Sequence, residues 1–186
     1  MISVLESNET GGTNEVSIVH RIFKDGGTLM QALDFDHRPE QTKMAEAVVK
    51  SLQHGEHLLF EAGTGVGKSL AYLISSIIHA QKNNRPCVVA TNTISLQEQL
   101  LEKDIPSVRR IFESEEIYQP FADFKSALLV GRANYLCNNR LHRALGGQTD
   151  FLDGVQRKEL ERILEWCNDG AVEWIRQELS PPPSSI

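Results

Sequence analysis

Residues 62–69, Ala62-Gly63-Thr64-Gly65-Val66-Gly67-Lys68-Ser69, set glycines at alternate positions and close on a lysine and a hydroxyl. That combination can hold a phosphate chain. Glycines let a backbone turn tightly and aim its N–H groups at phosphate oxygens. Lys68 is placed to reach the outer phosphates, and the Ser69 hydroxyl to ligate Mg²⁺. The context agrees. An apolar run, Leu58-Leu59-Phe60, precedes the loop and reads as a buried strand. A helix follows, with Leu70, Leu73, Ile74, Ile77 and Ile78 at helical spacing. Its N-terminus adds partial positive charge beneath the phosphates. The rival reading, a glycine-rich turn that merely precedes a helix, leaves the strand, the lysine and the hydroxyl unexplained.

The elements that would position this loop come next. Pro39 suits the first turn of a helix of about a dozen residues, with Met44, Val48 and Leu52 as its apolar stripe. Arg38 and Gln41 lie at its start. Two further apolar runs read as buried strands, Cys87-Val88-Val89-Ala90 and Ala127-Leu128-Leu129-Val130. Thr91, Asn92 and Thr93 end the first of these, and ligands gather at strand C-termini in α/β sheets. A helix from about Ser95 to Lys103 follows, with Ser95 and Glu98 spaced as a capping box. Residues 16–23 alternate weakly and end in a turn at 24–27, and Thr28 is placed to cap a short helix through Leu33. Residues 104–120 read as a connection whose acidic patch, Glu113 to Glu116, is solvated surface. Helices are expected from about Val155 to Cys167 and from Ala171 to Leu179. Cys167 falls on the apolar stripe of the first. His54 and His57 read as surface histidines, since no carboxylate or thiol accompanies them.

Bulk properties bound the function. The chain has 186 residues and a formal net charge of −6, which argues against a nucleic-acid-binding shell over the whole surface but leaves room for a local basic strip. No run of about 18 apolar residues suggests a membrane span, and the first residues lack the pattern of a secretory signal. Three widely spaced cysteines, Cys87, Cys137 and Cys167, fit a reducing, cytoplasmic setting.

Three motifs carry a family resemblance. Ala62 stands where the strict phosphate-loop pattern has glycine, and Ala-x-x-Gly-x-Gly-Lys-Ser resembles the form in superfamily 2 helicases. Arg38, Pro39 and Gln41, placed before the loop, resemble the Q motif of those helicases, which implies that Gln41 reads adenine. A carboxamide offers the acceptor and donors that an adenine edge matches. Val88 to Leu100 resembles their motif Ia, which implies that Thr91, Asn92 and Thr93 contact a nucleic-acid backbone; an ordinary helix cap is the alternative. Most specific is Val130-Gly131-Arg132-Ala133-Asn134-Tyr135-Leu136-Cys137, which resembles an element of the XPD/DinG group of iron–sulfur helicases, with Val130 where lysine is frequent. That resemblance implies that Cys137 is one ligand of a 4Fe–4S cluster, with a buried free thiol as the alternative. It also implies that Arg132, Tyr135, Arg140 and Arg143 lie near single-stranded DNA.

The resemblance implies an α/β architecture: part of a RecA-like P-loop NTPase domain, a parallel sheet flanked by helices, followed by the start of a helical iron–sulfur insert. Residues 1–20 would be a flexible N-terminus, 21–131 the front of the motor domain, 132–179 the start of the insert and 180–186 a disordered tail. Its cofactors would be ATP, Mg²⁺ and the cluster, and its partner single-stranded DNA. Within the chain no strand ends in the Asp-Glu-x-His pair that such ATPases use on Mg²⁺ and water, so no catalytic residue is expected here. The expectation is therefore the ATP-binding front of a DinG-type 5′-to-3′ DNA helicase. It would not hydrolyse ATP alone, and it would depend on a complementing C-terminal part. The rival is a stand-alone nucleotide-binding module or degenerate regulatory remnant.

Overall fold

The computed structural model describes residues 14–146, 154–168 and Ile175. It groups the chain into two compact units, Met1–Ser126 and Ala127–Ile186.

The first unit is built from helices. Asn14 caps α1 (Glu15–Phe23) by accepting from the Val16 N–H at 3.1 Å. The expected alternation over 16–23 is a helical pattern instead: Ile18, Val19, Ile22 and Phe23 are all buried on one face. Its first residues fall within the stretch expected to be a flexible N-terminus. After the turn, α2 (Thr28–Leu33) starts behind Gly27 rather than on a Thr28 cap. The Thr28 hydroxyl is used elsewhere, on Glu115 at 2.6 Å and Tyr118 at 3.1 Å.

The centre is the pair α3 (Pro39–His54) and α4 (Lys68–Asn83). Small residues let them approach closely. Ala45, Ala71 and Ser75 are fully buried, and the Ser75 hydroxyl donates to the Ala45 carbonyl at 2.8 Å. The α3 stripe is Gln41, Met44, Ala45 and Val49, one residue round from the expected Met44–Val48–Leu52 line. Then come α5 (Ile94–Gln99), a π-helical turn (Leu100–Asp104) and α6 (Ile105–Glu113), where a mere connection was expected. Pro106 near the start and Val108, Ile111 and Phe112 on one face are what make α6 a helix. A 3₁₀ turn (Glu116–Tyr118) and α7 (Gln119–Ala122) complete the unit. Phe112 meets Phe124 edge-on at 6.3 Å and Phe121 at 5.8 Å. Arg109 stacks 4.1 Å over Phe124 and donates to the carbonyls of Ala122 and Phe124 at 3.0 and 2.7 Å. Glu115, expected in open solvent, is half-buried and pairs with Arg21 at 2.6 Å.

The parallel sheet is overturned: no β-strand or ladder occurs among the described residues. All three apolar runs are non-helical and unpaired. Leu59, Val88 and Leu129 are 99, 90 and 81% exposed. A parallel strand needs a neighbour for its N–H and C=O groups and cover on both faces. Among the described residues these segments have no such neighbour, and apart from Phe60 and Val130 they lack that cover. Of Leu58-Leu59-Phe60, only Phe60 reaches the core.

The second unit holds a 3₁₀ turn (Arg132–Asn134), α8 (Asn138–Gly146) and α9 (Gly154–Asn168). Leu141, Leu160 and Ile163 form its small core, with Cys167 packed against them. Tyr135 makes an isolated antiparallel bridge to Ile175, a residue that falls inside the expected 171–179 helix. The rest of that helix and the expected tail lie outside the described residues. No helix among the described residues is long and apolar enough to cross a membrane.

Candidate functional site

The loop 62–69 is held from below by α3. Gly65 and Gly67 sit at φ +80° and +84°, the left-handed region that glycine alone enters without cost. Gly67 also has no room for a side chain, since a Cβ there would collide with the Gln41 carboxamide. Gln41 is 4% exposed and donates from Nε2 to the Gly67 carbonyl at 2.8 Å. Arg38 donates from Nη1 to the Gly65 carbonyl. Two residues at the start of α3 thus fix the loop at both left-handed glycines.

Lys68 opens α4, and its ammonium donates to the carbonyls of Ala62 and Gly63 at 2.9 and 3.0 Å, folding back across its own loop. Gly63, Thr64 and Gly65 are exposed, and Val66 and Ser69 are half-buried. The structure therefore brings Arg38, Gln41, Ala62, Gly63, Gly65, Gly67 and Lys68 into one bonded cluster. The donor set fits a nucleotide with its cation. A hydroxyl in the first turn of α4 suits Mg²⁺, which keeps waters and phosphate oxygens as its remaining ligands. Tyr72, which motif reading passes over, lies half-buried one helical turn after Ser69.

Thr93 caps α5, its hydroxyl accepting from the Leu96 N–H at 3.3 Å, in place of the expected Ser95 box. The Thr91 hydroxyl donates to the Thr93 carbonyl at 3.2 Å, and Asn92 is exposed. In the second unit Arg132, Cys137, Arg140 and Arg143 are exposed. Tyr135 is half-buried, with its hydroxyl accepting from the Val130 N–H at 3.1 Å. The cysteines do not make a cluster site. Four thiolates are required, the chain has three cysteines, and no three metal-ligating side chains converge among the described residues. Burial pushes the Cys167 thiol up, and the same cause pushes up Cys87, whose Sγ lies 3.4 Å from the Ser76 carbonyl.

The DEAD/DEAH box helicase family matches residues 40–117, a span that runs from the start of α3 through the loop to the 3₁₀ turn. The chain is 37% identical over 162 residues to an ATP-dependent helicase DinG of Mycobacterium tuberculosis, covering 81% of this chain and 24% of that protein. It is 35% identical over 151 residues to the ATP-dependent DNA helicase YoaA of Haemophilus influenzae, covering 81 and 22%. A 3′-5′ exonuclease DinG of Bacillus subtilis is 32% identical over 135 residues, covering 73 and 13%. The chain thus spans about a quarter or less of the length of these curated relatives. Two of the three are named as helicases and the third as an exonuclease. With its braced phosphate loop inside the matched region, the chain matches DinG-like helicases over most of its own length.

Proposed function

We propose that this chain is the ATP- and Mg²⁺-binding half-site of a DinG-type ATP-dependent DNA helicase. The observation that carries the reading is the double brace from α3, Gln41 on Gly67 and Arg38 on Gly65. A loop held at both glycines keeps its N–H groups aimed before the phosphates arrive, which lowers the ordering cost of binding. Lys68 exchanges the Ala62 and Gly63 carbonyls for phosphate oxygens, and Ser69 ligates the cation. Gln41 keeps its carbonyl oxygen and second N–H for an adenine edge while its first N–H holds the loop. Thr91, Asn92 and Thr93 contact a single-stranded DNA backbone, as do Arg132, Tyr135 and Arg140, and these contacts are independent of base identity. Cys137 is offered as one thiolate of a cluster completed by another segment. The carboxylates that activate water are likewise supplied by a complementing segment.

Titration of the purified chain with a fluorescent ATP analogue in MgCl₂ tests this. Saturable binding is expected, weakened at least about tenfold in Lys68→Ala, equivalent to roughly 1.4 kcal/mol. No ATP turnover is expected with or without single-stranded DNA. Equal binding by Lys68→Ala would overturn the assignment. Turnover by the isolated chain would place a catalytic carboxylate within it.

A further inference from the structure

Phe23 ends α1, so its carbonyl has no N–H within the helix to accept from. The Thr42 hydroxyl, near the start of α3, supplies the missing donor at 2.8 Å. Its proton is thereby committed, and the Thr42 oxygen is left as an acceptor. His37 Nε2 lies 3.3 Å from that oxygen, so this ring nitrogen carries the proton and donates. The Thr42 N–H is spent nearby as well. It donates to the Arg38 carbonyl at 3.2 Å, as the Gln41 N–H does at 2.9 Å. The chain on either side of Arg38 is thus tied to Thr42, by the His37 ring before it and by the backbone after it. Arg38 is the residue on which this acts. It stands at the corner between extended and helical chain, at φ −129° and ψ 106°, and its side chain caps nothing in α3. It reaches the Gly65 carbonyl instead, 27 residues along the sequence. Arg38 is exposed, and a long exposed side chain has many arrangements to give up for one bond. A corner fixed by His37 and Thr42 reduces that cost beforehand.

We infer, on the reading of residues 62–69 as a nucleotide site, that His37 and Thr42 are positioning residues for Arg38, and that through them the C-terminus of α1 sets how the phosphate loop is held. Among the described residues neither side chain hydrogen-bonds the loop, and both act on it through Arg38. The anchor sits in the core, since Phe23 is 2% exposed and packed among the largest buried cluster. Phe23 and His37 both precede residues 40–117, the span that matches the helicase family. The brace on Gly65 therefore draws on chain outside that span. A methyl in place of the Thr42 hydroxyl strips the Phe23 carbonyl of its donor and His37 of its acceptor. The corner at Arg38 is then free to turn, and Gly65 loses a partner that holds it in the left-handed region.

The test is titration of the full chain with the fluorescent ATP analogue in MgCl₂, well below the thermal midpoint of each variant. Thr42→Val is expected to weaken binding about fivefold, the size of one net hydrogen bond, and Thr42→Ser, which keeps the hydroxyl, to bind as the wild type does. His37→Phe should weaken binding in the same direction, and His37→Gln, whose amide keeps a donor, should restore it. In an Arg38→Met background, Thr42→Val and His37→Phe should cost nothing further, because the group they position is gone. Wild-type affinity in Thr42→Val would overturn the inference, and so would an equal loss in Thr42→Ser. A loss undiminished beside Arg38→Met would also overturn it, by reducing both residues to packing. Should Thr42→Val fail to fold, the His37 variants in the two backgrounds decide by the same criteria. Any of these results, with binding still dependent on Lys68, leaves the nucleotide half-site standing; loss of that dependence would overturn both.

Discussion

Gln41 and Gly67 depend on each other. A Gln41→Glu substitution replaces the donor facing the Gly67 carbonyl with an acceptor in a buried position. It is expected to cost about 1–3 kcal/mol, the penalty of an unmade buried hydrogen bond, read from the urea midpoint. Nucleotide affinity should fall with it. Gly67→Ala meets two obstacles, a left-handed φ and the Gln41 carboxamide. Its strain alone is about 1–2 kcal/mol, so its loss of stability and of nucleotide binding should exceed that of Thr64→Ala, at the exposed loop tip. The cysteines differ in the same local way. The thiolate is the reactive form, and burial pushes Cys87 and Cys167 up. On the basis of exposure, alkylation near neutral pH followed by peptide mapping should label Cys137 ahead of half-buried Cys167. Labelling of Cys167 ahead of Cys137 would contradict its place against the second unit's core.

At the scale of elements, α6 and α7 are joined by Arg109. Its guanidinium covers the Phe124 ring and satisfies two carbonyls at once. Lysine reaches neither the stacking geometry nor the forked donation. Arg109→Lys is expected to destabilise by about 2 kcal/mol, from one lost hydrogen bond and a weakened cation–π contact. The half-exposed Arg21–Glu115 pair is worth less, and Glu115→Gln should cost about 1 kcal/mol or under. Thermal melts of the two variants should keep that order. Helix α1 and helix α6 were both legible in principle: Asn14 before Glu15, and Pro106 before Val108, are start signals. Weak alternation in one and a neighbouring acidic patch in the other obscured them.

For the whole molecule, the exposed apolar runs have a measurable consequence. Leu59 and Val88 are almost wholly in solvent. Exposed runs of that kind promote self-association. Leu59→Lys and Val88→Lys should change stability by less than about 0.5 kcal/mol while lowering aggregation in light scattering. Large destabilisation would mean that these side chains are covered in solution. Alkaline pH reports on the other extreme, the buried phenol of Tyr118 and the half-buried one of Tyr72. Burial is the leading cause that raises both Tyr72 and Tyr118, so the folded state holds their protons more tightly than the unfolded chain. Their contribution to stability is complete below about pH 10 and is lost as pH rises through the raised values. Urea midpoints should fall over that window, and Tyr118→Phe should flatten the fall.

The sequence by itself determined the phosphate loop and its family. Glycine spacing, a lysine and a hydroxyl before a helix are local, and their chemistry follows from residue type. It also placed α3 and α4, because helical periodicity is written within a dozen residues. Tertiary structure decided the rest. Whether an apolar run becomes a strand depends on a partner for its backbone, and the described residues offer none to Leu58-Leu59-Phe60, Cys87-Val88-Val89-Ala90 or Ala127-Leu128-Leu129-Val130. Only packing could show that Gln41 turns inward to Gly67, that Glu115 is paired, and that a π turn brings a buried Asp104 to Gln99. Each of those depends on residues far apart in the chain or on a winding that no local periodicity announces.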